Sequence, residues 1–250
     1  MRALALGHFC ATRTLHSHPP LAPSTRTLHS HPPLVDRAQL VRAGHEVRLY
    51  IAPEYLSLVP TVAGLSIIGT QQTIAAGMEK LVPHIATGNA AAMVQAVFEI
   101  TTEYFAREAD ALKAVCAGWA EIVTFNVVAV HVGLAVTEAL HIKALRVDVG
   151  PLLPTRELFP LSGAVKLPKF IHMFLWWLLH AKITLPAALK RVIAEWNAAN
   201  GCKLSKQWKA DNGWDRMYRC NTPHIFGFSP TSFAPDWDSQ GFDYSITGDW

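Results

Sequence analysis

The sequence predicts an α/β protein with a doubly wound parallel sheet, and two patterns support this prediction. Short apolar runs that suit buried strands alternate with longer segments whose apolar residues recur at helical spacing. The first helix-to-strand exchange passes through Gly44, a residue suited to a helix C-terminus, into the run His45 to Ile51. Strands that alternate with helices are typical of a parallel sheet covered by helices. With 250 residues, 50% of them hydrophobic, the chain can bury a sizeable core.

The N-terminal elements follow from this alternation. Arg2 to Phe9 is predicted to be the first strand, and Leu34 to Ala43 the first helix. With the strand His45 to Ile51 they would form a parallel βαβ unit with a right-handed crossover. The next predicted elements are a short helix from Pro53 to Val62, strands at Leu65 to Ile68, Ile122 to Phe125 and Ala144 to Val147, and helices at Ala90 to Cys116 and Gly133 to Leu140.

The C-terminal part is predicted to contain two helices followed by two short strands. The helices lie around Lys169 to Ala181 and Pro186 to Asn200. An aromatic-rich strand begins near Ile225, and a last strand runs from Tyr244 to Thr247. The longest apolar run, Phe170 to Ala181, is shorter than the roughly 20 residues that a bilayer crossing needs, so no membrane span is expected.

Charge and cysteine content narrow the range of functions. The formal net charge of +3 is spread along the chain without a basic block, so nucleic acid is not an expected partner. The 4 cysteines form no CxxC pair, which favours free thiols in a reducing compartment and hence a cytoplasmic location. The sequence contains no GxGxxG, GxxxxGK[ST], GxSxG or HExxH motif. It therefore lacks the usual motifs of dinucleotide-dependent enzymes and of hydrolases.

Several segments, in order along the chain, resemble one enzyme family. They are Leu40 to Leu49, Gly133 to Ile142, Pro154 to Pro160, and the C-terminal stretch His224 to Trp250 with its Pro-Asp-Trp turn and final Gly-Asp-Trp. These stretches resemble the N-terminal, acceptor-side domain of the UDP-sugar-dependent sterol and lipid glucosyltransferases, a family 28-like glycosyltransferase domain. The Gly-His-x-Val motif at Gly44 is weak alone, since many helix-to-strand exits contain it.

The resemblance implies a fold and an activity for residues 1–250. The fold would be the Rossmann-like N-terminal half of a GT-B glycosyltransferase, forming a single acceptor-binding domain. The activity would be inverting transfer of a hexose, glucose above all, from a UDP-sugar co-substrate to a sterol or other lipid alcohol, with no metal or other cofactor. The donor domain of the family would begin after Trp250, so residues 1–250 alone are expected to be an inactive hexosyltransferase part with peripheral membrane contact. The alternative is a non-catalytic sterol- or lipid-binding remnant of such an enzyme.

The catalytic loop is expected between the first strand and the first helix, where the chain carries an identical duplication. Thr12 to Leu21 is repeated as Thr25 to Leu34, at a position where α/β sheets bind ligands. The family has a Gly-Asp-Val-Gln-Pro-like motif there, and aligning its proline with Pro32 puts His29 at the aspartate. Transfer needs a base for the acceptor hydroxyl, and imidazole titrates near neutral pH, so His29 is a candidate base, with His31 as the next candidate. His16, His18 and Asp36 are rivals, and Glu121 is the predicted orienting carboxylate.

The duplicated segment at residues 12–34 also has simpler interpretations. A repeat of Thr, Arg, His and Pro suits an extended, solvated loop without a catalytic role. The pairs His16-x-His18 and His29-x-His31 offer four imidazoles to a metal, although a Pro-Pro-flanked loop holds ligands poorly. These alternatives remain open at the level of sequence.

The acceptor is expected to contact large aromatic side chains. The run from His172 to Leu179 is apolar on every side of a helix, and the resemblance implies that this helix lies beside the acceptor pocket. The same residues could instead pack in the core, which is where most such side chains lie. The candidate acceptor-binding residues are Phe174, Trp176, Trp177, Phe226, Phe228 and Trp237.

Overall fold

A computed structural model describes residues 9–14, 40–59, 61–126, 128–148, 155, 168, 171–172, 174, 186–202, 222–227 and 243–246. For residues 9–14, 90 and 91 the description is limited to the backbone. The chain divides into two compact units, one comprising Met1–Ala144 with Ala187–Lys203 and the other Leu145–Pro186 with Leu204–Trp250.

The described elements follow one another in the order of an α/β protein. They are β1 (Phe9–Thr14), β2 (His45–Ile51), a 3-10 helix (Pro53–Leu58), β3 (Leu65–Gly69), α1 (Ile74–Ala86), α2 (Ala90–Cys116), β4 (Ile122–Phe125), α3 (Val130–Leu140), β5 (Lys143–Asp148), α4 (Ala187–Ala199), β6 (His224–Phe226) and β7 (Tyr244–Ile246). The α/β class is therefore confirmed, and so is the presence of parallel strands, which pair in both units.

The sheet of the first unit has the strand order β3-β2-β1-β4. Strands β2 and β3 are parallel, whereas β1 is antiparallel to both β2 and β4. Because β2 and β4 each oppose β1, they point in the same direction as one another and as β3. The carboxyl ends of β2, β3 and β4 therefore lie at one edge of the sheet.

The prediction of a wholly parallel sheet is wrong at β1. This strand pairs from Phe9 opposite Tyr50 to Thr14 opposite His45, in antiparallel register. It therefore cannot open a parallel βαβ unit with β2. Most of the predicted first strand, Arg2 to Phe9, and of the predicted first helix, Leu34 to Ala43, lies outside the described residues. The periodicity of a short apolar run predicts a strand but carries no information about its direction, which depends on how the chain returns to the sheet.

The duplicated segment does not begin as a loop. Its first three residues, Thr12 to Thr14, belong to β1, and Thr12 has Val47 and Ile122 as its backbone partners on the two neighbouring strands. Threonine is β-branched and suits a strand, and an inner strand satisfies its backbone groups on both sides. The remainder of the segment, residues 15–34, lies outside the described residues.

Helix boundaries in the first unit follow local capping chemistry. Residues 40–42 are helical, and Gly44 follows with a φ of 89° and donates its N–H to the carbonyl of Val41, as predicted for a helix end. The side chain of Asn89 accepts the N–H of Ala92 at the start of α2, which has the predicted limits. Helix α1 was not predicted from the sequence, because Gly77 and Pro83 interrupt its pattern.

The long helix α2 packs against α4 through an apolar stripe. Phe105 meets Trp196 edge to face, with ring centroids 6.2 Å apart, and the indole N–H of Trp196 donates to Asp110 at 2.7 Å. Lys113 donates to the Asn200 side chain at 2.6 Å, just beyond the end of α4. The Trp196 indole N–H thus has a polar partner at the margin of an apolar interface.

Helix α3 is buried along most of its length, from Val130 to Thr137. It lies so close to β4 that a methyl group added at Gly133 would overlap the ring of Phe125. The helix ends at His141, which has a left-handed conformation with a φ of 54°.

The sheet of the second unit consists of β5, β6 and β7, which are all parallel, with β5 beginning at the boundary between the units. Arg146 pairs with His224, and Asp148 pairs with Phe226. Residues two apart on a strand share a face, so Arg146 and Asp148 lie on one face of β5. Among the described residues, no helix is both long and apolar enough to cross a bilayer.

Candidate functional site

The candidate site is a small cavity in the first unit, at the edge where β2, β3 and β4 end. Ala52 follows β2, Thr70 and Gln72 follow β3, and Val128 and Ala129 follow β4. Ligands of open α/β sheets bind outside the carboxyl ends of the strands. The cavity is completed by residues of α1, α2 and α3, namely Ile74, Val97, Ile100, Thr101, Tyr104, Phe105, Glu108 and Val132.

The cavity is small, with a volume of about 60 Å³. Pockets that enclose a whole drug-sized ligand have volumes of roughly 300–1,000 Å³. A sterol cannot fit inside, but the polar end of a larger molecule can. Most of the lining is apolar, and its polar groups come from Thr70, Gln72, Thr101, Tyr104 and Glu108.

Glu108 is the charged group of the cavity and is held from two directions. The Tyr50 hydroxyl donates to its Oε2 at 2.6 Å, and the backbone N–H of Gln72 donates to its Oε1 at 2.7 Å. Only 8% of Glu108 is exposed. A carboxylate with two donors at these distances is fixed in position.

Burial changes the titration of this pair. Desolvation raises the pKa of Glu108, although the hydrogen bonds from Tyr50 and from the Gln72 backbone act in the opposite direction. Burial and the neighbouring carboxylate raise the pKa of Tyr50 well above its ordinary value. Tyr50 therefore remains a neutral phenol at all physiological pH values and serves as a hydrogen-bond donor.

The turn after β3 positions Gln72. The N–H of Thr70 donates to the carbonyl of Ile51 at 2.7 Å, and the Thr70 hydroxyl donates to the carbonyl of Gln72 at 2.7 Å. With its N–H on Glu108, the Gln72 backbone is bound on both sides. Its side-chain Nε2 is buried and has no hydrogen-bond partner among the described residues. A buried amide N–H without a partner is uncommon in native proteins and calls for an explanation.

The cavity therefore combines apolar walls with one carboxyl group and one amide N–H that has no partner in the described part of the chain. A carboxylate accepts hydrogen bonds and an amide N–H donates them. A hydroxyl group can make both bonds, because its hydrogen donates while its oxygen accepts. The cavity is thus chemically suited to the hydroxyl end of an otherwise apolar molecule.

A second buried polar group lies in the second unit. Arg146, with 0% exposure, forms an ion pair with Asp148, and the imidazole of His224 stacks on the ring of Phe226 with centroids 5.8 Å apart. Burial, followed by the Arg146 guanidinium, lowers the pKa of His224 to about 3. His224 is therefore neutral at physiological pH.

The predicted site residues fall in different places. Glu121 is exposed and precedes β4, at the opposite end of that strand from the cavity, and its carbonyl accepts the N–H of Lys143. Phe174 is 56% exposed, whereas Phe226 has 0% exposure and is part of β6. The other predicted site residues lie outside the described residues, and they are His29, His31, Trp176, Trp177, Phe228 and Trp237, together with the rivals His16, His18 and Asp36.

Glu108 was not predicted from the sequence, although a signal for it exists. It falls three residues after Phe105 and four before Leu112, on the stripe that α2 buries. An acidic residue on the apolar stripe of a helix is unusual, because burial of a charge is unfavourable without partners. The pattern of helical spacing could therefore have identified it.

No protein-family model and no curated protein matches the sequence. Within the described residues, no three His, Cys, Asp or Glu side chains are grouped as a metal site would require.

Proposed function

We propose that residues 1–250 bind the alcohol acceptor of a UDP-sugar-dependent hexosyltransferase. The observation that carries this proposal is the cavity at the carboxyl ends of β2, β3 and β4, with Glu108 in its wall. Its position matches where α/β sheets bind ligands, and its lining suits the hydroxyl end of an apolar molecule. The resemblance to the acceptor-side domain of sterol and lipid glucosyltransferases points to the same class of molecule, and a GT-B arrangement belongs to this proposal.

The proposed reaction is an inverting transfer. The acceptor oxygen forms a bond to the anomeric carbon of the hexose, and the bond from that carbon to the diphosphate oxygen breaks, so that UDP leaves with the electron pair. The acceptor hydroxyl loses its proton to a base, for which His29 and His31 remain the proposed candidates. Glu121, the predicted orienting carboxylate, lies at the opposite end of β4 from the cavity and has no part in this proposal. The acceptor would lie with its polar end in the cavity and its apolar body outside it.

Two measurements on the purified chain test this proposal. Sterol binding is followed by tryptophan fluorescence, and transfer from UDP-glucose is followed with and without a nucleotide-sugar-binding domain fused after Trp250. We expect sterol binding in both forms and transfer in the fusion. Failure to bind any sterol would refute the proposal, and turnover by the unfused chain would refute the division of labour between the domains.

The alternative is a sterol or lipid binder without catalysis. The observation that favours it is the replacement of the aspartate of the family's loop by His29 in the duplicated segment. Sterol binding without any transfer in the fusion would support this alternative.

A further inference from the structure

We propose that Glu108 and Gln72 together bind the acceptor hydroxyl, with the Glu108 carboxylate accepting its hydrogen and the Gln72 side-chain amide donating to its oxygen. This inference rests on the acceptor-binding part of the proposed function and deepens it. It describes the bound alcohol before any transfer, while its hydroxyl hydrogen is still donated to Glu108, and it does not depend on whether glycosylation follows.

The carboxylate of Glu108 has capacity left for a ligand. Each oxygen of an ionised carboxylate can accept about two hydrogen bonds. In the structure Oε2 accepts one from Tyr50 and Oε1 accepts one from the Gln72 backbone. The backbone of Gln71 also hydrogen-bonds to this carboxyl group, so three of its roughly four acceptor positions are used and one remains for a ligand. The side chain forms part of the cavity wall.

Gln72 supplies the complementary group. Its backbone is tied to Glu108, and its carbonyl accepts the Thr70 hydroxyl, so the residue is held beside the carboxylate. Its side chain lines the same cavity, and Nε2 is buried without a partner among the described residues. A ligand oxygen in the cavity would satisfy that amide.

This arrangement predicts selectivity between functional groups of equal size. An alcohol can donate to the ionised carboxylate and accept from the amide, whereas a ketone can only accept. A ketone would therefore place its oxygen beside a carboxylate that receives no hydrogen bond from it. A site that hydrogen-bonds a ligand hydroxyl discriminates strongly against an analogue that lacks it.

The test uses the sterol 5α-cholestanol and the ketone 5α-cholestan-3-one, which differ only at C3. Each is presented to the purified chain as a cyclodextrin complex, and binding is measured by tryptophan fluorescence at pH 8. For the wild type we expect a preference for the alcohol of about tenfold or more, the size expected for a hydrogen bond to a charged group. Glu108→Gln should abolish or reverse the preference, because an amide can donate to the ketone.

Two further variants separate the roles of the residues. Gln72→Met removes the amide and should weaken the alcohol and the ketone to a similar extent, since both accept from Nε2. Glu99→Gln is the matched control, because Glu99 is exposed on the same helix. It should leave both affinities unchanged.

A measurement on the wild type alone keeps the inference testable if Glu108→Gln does not fold. As the pH falls and Glu108 takes up a proton, the neutral carboxyl can donate to a ketone, so the preference for the alcohol should decline. A preference that is independent of pH, or that survives in a folded Glu108→Gln variant, would overturn this inference and leave acceptor binding intact. If the wild type binds neither 5α-cholestanol nor 5α-cholestan-3-one, the proposed function and this inference both fail. If selectivity is found without transfer in the fusion, only the transferase proposal fails.

Discussion

Glu108 and the Arg146–Asp148 pair, both buried, differ in what surrounds them. In the first unit, Glu108 receives hydrogen bonds from Tyr50 and the Gln72 backbone but also faces a cavity. In the second unit, Arg146 has 0% exposure, and the opposite charge of Asp148 balances its own. A carboxyl group that lines a cavity can bind something else, whereas an enclosed ion pair contributes mainly to the uniqueness and integrity of the fold. This difference supports the proposed binding role of Glu108 and a structural role for the Arg146–Asp148 pair.

The largest expected effect concerns the enclosed pair. Replacing Asp148 by Ala removes an opposite charge from the buried Arg146 guanidinium, and we expect the free energy of unfolding to fall by about 3–5 kcal/mol. Urea denaturation at pH 7 measures this. The double variant Arg146→Met with Asp148→Leu should recover much of the loss, because both charges of the pair are then removed. A single variant within about 1 kcal/mol of the wild type would contradict the structural role.

The next largest effect is on the free energy of unfolding at acid pH, and it tests whether His224 is buried in its neutral form. Its pKa is about 3 in the folded protein, against about 6.5 when exposed. Between these values the unfolded chain binds a proton that the folded chain does not, so the free energy of unfolding falls as the pH falls, by up to about 1.4 kcal/mol per pH unit. His224→Leu should reduce this slope. Burial also lowers the pKa of His131, to about 4, so part of the slope should remain above that pH.

The control for this experiment is His84→Gln, which changes a partly exposed imidazole on α1. It should leave the acid slope close to that of the wild type. A His224→Leu variant with an unchanged slope would show that His224 does not titrate as a buried group.

A third effect tests the hydrogen bond from the Tyr50 hydroxyl to Glu108. Tyr50→Phe removes the donor to Glu108, and we expect a loss of about 1–3 kcal/mol in the free energy of unfolding at pH 7, because a buried carboxylate loses one of its partners. The pKa of Glu108 should rise further, since that bond favours the ionised form. Carboxyl carbon NMR measures the pKa. A double-mutant cycle with Glu108→Gln measures the coupling, and additive losses would contradict the contact.

The smallest expected effect distinguishes Glu108 from His224 by whether each makes the free energy of unfolding fall or rise as the pH rises. Because burial raises the pKa of Glu108, its contribution to stability is fully present below the unfolded pKa near 4.5 and is lost as the pH rises through the folded pKa. The wild type should therefore lose stability relative to Glu108→Gln as the pH rises, opposite to the behaviour expected of His224. Denaturation at several pH values measures the difference. Glu99→Gln should show no such trend, and a difference that grows in favour of the wild type at higher pH would contradict the burial of Glu108.

The elements with regular patterns could be predicted from the sequence. Helical spacing predicts α2 with its correct ends, and the apolar run Ile122 to Phe125 coincides with β4. The direction of β1 could not be predicted, because its neighbours in the sheet are far away in the chain. Helix α1 was missed since its tertiary contacts outweigh the local effects of Gly77 and Pro83.

The candidate site was less predictable than the fold. Glu108 is 58 residues from Tyr50 and 36 from Gln72, so its partners are brought together only by folding. Motif reasoning favoured imidazoles because they titrate near neutral pH, whereas the structure places a carboxyl group with a raised pKa in the cavity. A glutamate can reach the same range when it is desolvated, and the sequence indicates this only through its position on an apolar stripe.

The close approach of α3 to Phe125 limits how the cavity can change. With room for only a hydrogen atom at Gly133, α3 cannot move toward β4, so the walls at Ala129 and Val132 cannot shift in that direction. Another wall comes from α2, where Thr101 and Tyr104 are partly exposed. A variant that binds a bulkier ligand would therefore need smaller side chains on α2. Gly133 tolerates no substitution.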